Sequence, residues 1–232
     1  MWNFECFIHY PPRHEETVES RHAIVTERMK AQRGILSWRD LIVPAAPEFG
    51  RELIASYKVN YPIPSLEVTG LYTYRGANYV YEDRISYDDK LIIRFDVDRI
   101  GKSYGPILHS ELPSAVEAFQ GYLLRGFYSS YSTKYHALHK EMLDMLRAKG
   151  NVNVNGRNNV FSLQPAQYWN EEVCRKAMGY GRDEVIKRLT GRVPLVQPLM
   201  DGVYVVFNDN PDLTFEEFCA YNDRLKPVLG LQ

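Results

Sequence analysis

The sequence predicts an α+β fold, a single domain over residues 1–232 with a largely antiparallel sheet, a central β-meander and amphipathic helices packed on it. Three observations predict it. Strand-like patterns come in runs instead of alternating strictly with helices, and the turn signals between Leu66 and Arg99 are those of hairpins. The chain is 45% hydrophobic and 25% charged, enough for a sizeable core, and no linker is long enough to divide it.

The opening WNFECFIHY alternates as a strand should, and Pro11-Pro12 ends it. From Glu15 to about Arg33, Val18, His22, Val25 and Met29 recur at helical spacing, with Gly34 as the stop. VPAAPEFG and NYPIPS break regular structure, so Ile35 to Ser65 should hold short pieces, including a helix near Glu48 to Tyr57. The meander follows, with turns at Arg75-Gly76-Ala77-Asn78 and Asp88-Asp89, and GKSYGP closes it. Helices are expected from Pro113 to about Leu124 and from Lys134 to Lys149, the latter with Leu138, Met142, Met145 and Leu146 on one stripe. GNVNVNGRNN reads as a loop. Short helices near Asn170–Met178 and Asp183–Leu189 precede an apolar strand, DGVYVVFN, and Thr214 with Glu217 forms a capping box that starts the last helix.

The first residues carry an early Glu and no long apolar stretch, so the expectation is a cytoplasmic chain with no signal peptide or membrane span. Cys6, Cys174 and Cys219 are odd in number and far apart, which suits reduced thiols better than disulfides or a zinc ribbon. The net charge of -1 hides an uneven distribution. Between Arg147 and Arg192 there are nine Lys or Arg against four Asp or Glu, whereas Val193 to Asp223 holds no basic residue and carries Asp201, Asp209, Asp212, Glu216, Glu217 and Asp223. Either the two tracts neutralise each other or the second is a functional acidic surface.

LIIRFDVDRIGKSYG invites two ligand readings. A phosphate loop needs glycine five positions before Gly101-Lys102-Ser103, where Asp96 stands, so that reading fails. Asp96-x-Asp98 after an apolar run resembles the metal-binding pair of nucleotide-sugar transferases, the alternative function for this chain, but that reading expects a parallel sheet upstream. His136 and His139 have ligand spacing, yet their places on or beside the apolar stripe favour core histidines. No nucleophile elbow or zinc-protease helix is present, the basic tract lacks the aromatic interleaving of a single-strand binder, and no cofactor is expected.

The 17 tyrosines include a ladder in the meander. Tight turns at both hairpins would place Tyr72, Tyr74, Tyr79 and Tyr81 on one face, with Asp96 opposite Tyr81 and Asp98 opposite Tyr79. Leu71, Val80, Leu91, Ile93, Phe95 and Val97 would form the opposite, helix-covered face. The partner-binding candidates are therefore these four tyrosines, Asp96, Asp98, Asp201, Asp209, Asp212 and Glu216. The competing arrangement buries the tyrosines as core.

The segments WNFECFIHYPPRHEETVESRHAIVTERMKA, ILSWRDL and PLMDGVYVVFNDNPDLTFEEFCAYNDRLKPVLGL resemble the bacterial toxin-immunity proteins of family 52. The resemblance implies a non-catalytic α+β protein that binds and neutralises a cognate toxin of a type VI secretion or polymorphic toxin system. It further implies a toxin with a restriction-endonuclease-like nuclease domain, and protection of producer and kin cells. It implies no particular binding residues, and the sequence also leaves open a homodimer or a regulatory module with no toxin.

Overall fold

A computed structural model describes residues 2–76, 84–150 and 153–231. β1 (Phe4–Tyr10) leads into α1 (Val18–Ala31), whose N-cap Thr17 accepts from Ser20 N. β2 (Ile54–Asn60), β3 (Leu66–Thr73) and β4 (Asp89–Phe95) follow. A helical run then holds α2 (Val97–Ile100), α3 (Tyr104–Pro106) and α4 (Leu112–Phe119). β5 (Leu123–Tyr128) precedes α5 (Ser129–Leu138) and α6 (Lys140–Ala148), with the short pair β6 (Asn155–Gly156) and β7 (Asn159–Val160) after them. The chain closes with β8 (Ala166–Trp169), α7 (Glu171–Met178), α8 (Arg182–Leu189), β9 (Leu195–Leu199), β10 (Gly202–Val206) and α9 (Phe215–Leu225).

Eight strands form one antiparallel sheet in the order β2-β3-β4-β1-β5-β8-β10-β9. The expected α+β class with a largely antiparallel sheet is what the chain adopts. One face is covered along its length: Phe4, Cys6 and Ile8 of β1, Leu91, Ile93 and Phe95 of β4, and Leu66, Val68 and Tyr72 of β3 are buried there beneath α1 and the 97–119 run. Gly70 makes room in this layer, since a Cβ on it would lie 2.0 Å from the Tyr57 ring on the neighbouring strand.

The other face is covered unevenly. Over β8 and β10, Trp169, Val203 and Val205 are buried under α7, α8 and, through Phe207, α9. Over β2, β3, β4 and β1 the same face keeps Ser56, Lys58, Thr69, Arg94 and Phe7 partly or fully exposed. An ionic ladder crosses it, from Lys58 to Glu67 at 2.5 Å, Glu67 to Arg94 at 3.2 Å and Arg94 to Glu5 at 2.9 Å.

Several elements differ from the sequence reading. The helix expected near Glu48–Tyr57 is replaced by β2, whose strict exposed–buried alternation sends Ala55, Tyr57 and Val59 into the core. GKSYGP is helical, and its Tyr104, with Ile107 just beyond it, anchors the run on the sheet. The helix expected from Lys134 to Lys149 breaks at His139, whose ring packs 4.3 Å from Tyr135. GNVNVNGRNN contains the β6–β7 pair.

Candidate functional site

The two ends of the sheet carry different chemistry. At one end, the C-terminal ends of β4, β5 and β10 emerge together, because Phe95 and Tyr128 both pair with Phe4, and Val206 and Gly126 both pair with Ala166. Asp98 on α2, the 208–214 loop and the first turn of α9 therefore meet around the start of α5. The loop is held by its own asparagines: Asn208 Oδ1 accepts from Asn210 N at 2.9 Å, and Asn210 Oδ1 from Asp212 N at 3.1 Å. Tyr128 donates to Pro211 O at 3.2 Å and Tyr131 to Leu213 O at 2.6 Å, fastening the loop to α5. The capping box closes the far side, with Glu217 accepting from Thr214 N at 2.8 Å.

The result is an acidic ledge. Asp98, Asp209, Asp212 and Glu216 are exposed along it, with the tilted Tyr128 and Tyr131 rings behind at 5.1 Å between ring centres. Burial pushes the Tyr128 hydroxyl up to about 12; its hydrogen bond with Tyr104 opposes the rise, and Tyr131, Asp98 and Asp212 add to it, so carboxylates distant in sequence act on one hydroxyl. Tyr131 is raised likewise, by burial and then by Glu216 and Glu217. Asp209 lies 2.9 Å from His109 Nε2.

The basic tract does not neutralise this ledge. Arg175 pairs with Glu171, Lys176 with Glu172 and Arg188 with Glu184, each within its own helix, and Arg157 turns inward to Asp88. Among the described residues, no Lys or Arg forms an ion pair with Asp98, Asp209, Asp212, Glu216 or Glu217.

The ladder of tyrosines and acids is corrected. β3 pairs directly with β4, Leu66 with Phe95 and Leu71 with Lys90, so Tyr72 shares the covered face with Leu91, Ile93 and Phe95, while Leu71 lies on the other. Tyr72 is 0% exposed, hydrogen-bonded to His22 Nδ1 at 3.2 Å and stacked on Tyr57 at 5.4 Å. Tyr74 is 46% exposed. Tyr79 and Tyr81 lie outside the described residues. Asp96 is no strand residue: it caps α2 by accepting from Asp98 N at 3.2 Å and sits 3.7 Å from Arg99. Asp201 belongs to the opposite end of β10, where it accepts from Tyr168 at 3.0 Å. The structure thus joins Asp98, Asp209, Asp212 and Glu216 and separates them from Tyr72 and Asp201, while Asp96 is used as the cap of the helix that carries Asp98.

That opposite end holds a buried ionic network where the sequence suggested a turn at Asp88-Asp89. Asp89, 0% exposed, accepts from Arg75 at 2.7 and 2.8 Å and from Thr73 N at 2.9 Å. Asp88 accepts from Tyr122 at 2.6 Å and pairs with Arg157. His9 Nδ1 stands 3.3 Å from Asp88 without hydrogen-bond geometry. Above Tyr122 and Arg157 opens a cleft of about 150 Å³ lined also by Pro11, Asn170 and Lys176. Among the described residues, no group of three or more His, Cys, Asp or Glu could hold a metal ion, and no helix is long and apolar enough to cross a membrane.

No family model matches the chain, and no curated protein does. The resemblance to the immunity proteins rests on the sequence segments quoted above. Sequence reasoning missed Tyr128, Tyr131 and His109 as parts of the ledge. The signal was FYSSYSTKY, whose tyrosines at 128 and 131 project toward the acidic loop only once β5 is recognised.

Proposed function

We propose that this chain is a non-catalytic binding protein that neutralises a basic partner, a nuclease toxin, by docking it on the acidic ledge. The observation that carries this reading is that Asp98, Asp209, Asp212 and Glu216 converge from two distant parts of the chain and find no Lys or Arg partner among the described residues. Such a field steers a cationic protein toward itself, and the surfaces that nucleases present to DNA phosphates are cationic. The ledge is also held in place before binding, since its loop is fixed by hydrogen bonds from Asn208, Asn210, Tyr128 and Tyr131. The quoted resemblance points in the same direction.

The test is co-expression with the product of the adjacent reading frame, followed by pull-down and a DNA-degradation assay. Recovery of a complex together with loss of degradation supports the reading. A product that neither binds nor loses activity refutes it.

A further inference from the structure

Most partly or fully buried arginines of the sheet and its connections are compensated. Arg75 has Asp89, Arg94 has Glu5 and Glu67, Arg157 has Asp88, and Arg21 donates to the Phe119 carbonyl and to Gln120. Arg125 in the middle of β5 is the exception. Its cross-strand neighbours are Phe7 and Gln167, its guanidinium lies 5.7 and 5.9 Å from the Phe7 and Phe127 rings, and its Nε is buried with no hydrogen-bond partner among the described residues.

Lys90 adds a second positive charge on the same face. Lys90, diagonally across β1, feels the repulsion of Arg125, and so do His9 and, on α5, His136, whose buried Nε2 also has no partner. The carboxylate in reach, Asp88, already accepts from Tyr122 and Arg157. Burial pushes the Arg125 guanidinium down to about 10, offset only in part by Tyr122 and Asp88, a cost that an approaching anion would relieve. Lys90, Arg125 and His136 all keep part of their surface in solvent, although the Arg125 Nε and His136 Nε2 atoms themselves are buried.

We propose that Arg125 and Lys90, with His9 and His136 beside them, bind a small oxyanion, a phosphate or a carboxylate. A guanidinium offers such a group two parallel donors, and the ammonium a point charge next to it. The site is separate from the ledge and does not depend on the proposed partner.

The test is titration of the full chain with inorganic phosphate and, separately, with acetate at ionic strength held constant with chloride. The amide signals of Leu124, Arg125 and Gly126 are followed by NMR. Saturable binding of at least one anion is expected, weakened at least tenfold in Arg125→Gln and in Lys90→Gln; the arm that binds more tightly identifies the ligand chemistry. If Arg125→Gln does not fold, Lys90→Gln carries the comparison. Absence of saturable binding by either anion, or equal affinity in wild type and a folded variant, overturns the proposal.

Discussion

Replacing His9 with Phe should remove a measurable part of the chain's acid sensitivity. His9 is 1% exposed, and neither ring nitrogen has a hydrogen-bond partner among the described residues. Burial lowers its pKa from 6.5 to about 4, against a partial offset from Asp88 and with added repulsion from Arg125 and Lys90. The folded value lies below the unfolded one, so between these pH values the unfolded chain holds a proton that the folded chain does not. Stability therefore falls as pH falls through that window and levels off below it. At 1.36 kcal/mol per pH unit the loss is about 2 kcal/mol by pH 5 and about 3 kcal/mol by pH 4. Phe fills a similar volume and leaves Asp88 its bonds to Tyr122 and Arg157, so at pH 7.5 the variant should lie within about 1 kcal/mol of wild type. Urea unfolding at pH 7.5, 6 and 5 measures the difference between the two proteins. That difference is the informative quantity because burial lowers His22 and His136 as well, giving both proteins further acid sensitivity. Parallel pH profiles for variant and wild type would refute the reasoning, and would mean that His9 is charged in the folded state as the ionic partner of Asp88.

Two further perturbations test the packing that positions the sheet ends. Asp89→Ala strands the buried Arg75 guanidinium without its carboxylate and should cost about 3–5 kcal/mol, read as a lower urea midpoint. Gly202→Ala places a Cβ 2.1 Å from Trp169 O and 2.6 Å from Asn170 Cα, both backbone atoms, so the β8–β10 pairing must shift. The expected loss is about 3 kcal/mol, and a thermal melt unchanged from wild type would contradict that geometry.

Elements defined by local signals were legible in the sequence. β1 with its Pro11-Pro12 stop, α1 and the Thr214 capping box all depend on residues within one or two turns of one another. β8 was not legible because Ala166–Trp169 is buried on both faces and so lacks alternation, and β5 was not because LLRGFY sets Gly126 on its buried face and Phe127 on its half-open one, so its sequence does not alternate although its burial does. β9 was hidden by Pro198, which an edge strand tolerates. The tyrosine ladder failed on parity. It assumed a hairpin directly after Tyr74, whereas β3 pairs with β4, and a slip of one residue moves Tyr72 from the open face to the covered one. Asp98 on α2 does join the acidic tract, its charge acting with that of Asp212 on Tyr128 of β5, a juxtaposition of elements far apart in sequence that composition cannot reveal.

The most direct test of the proposed acidic ledge is the association rate with the product of the adjacent reading frame, the candidate partner, measured by stopped flow across ionic strength. The variant carries Asp98→Asn, Asp212→Asn and Glu216→Gln, three exposed positions outside the core. The expected association rate is about tenfold lower than wild type at low salt, with the two converging as salt screens the field. Equal rates and equal salt dependence in wild type and variant would place the docking surface elsewhere.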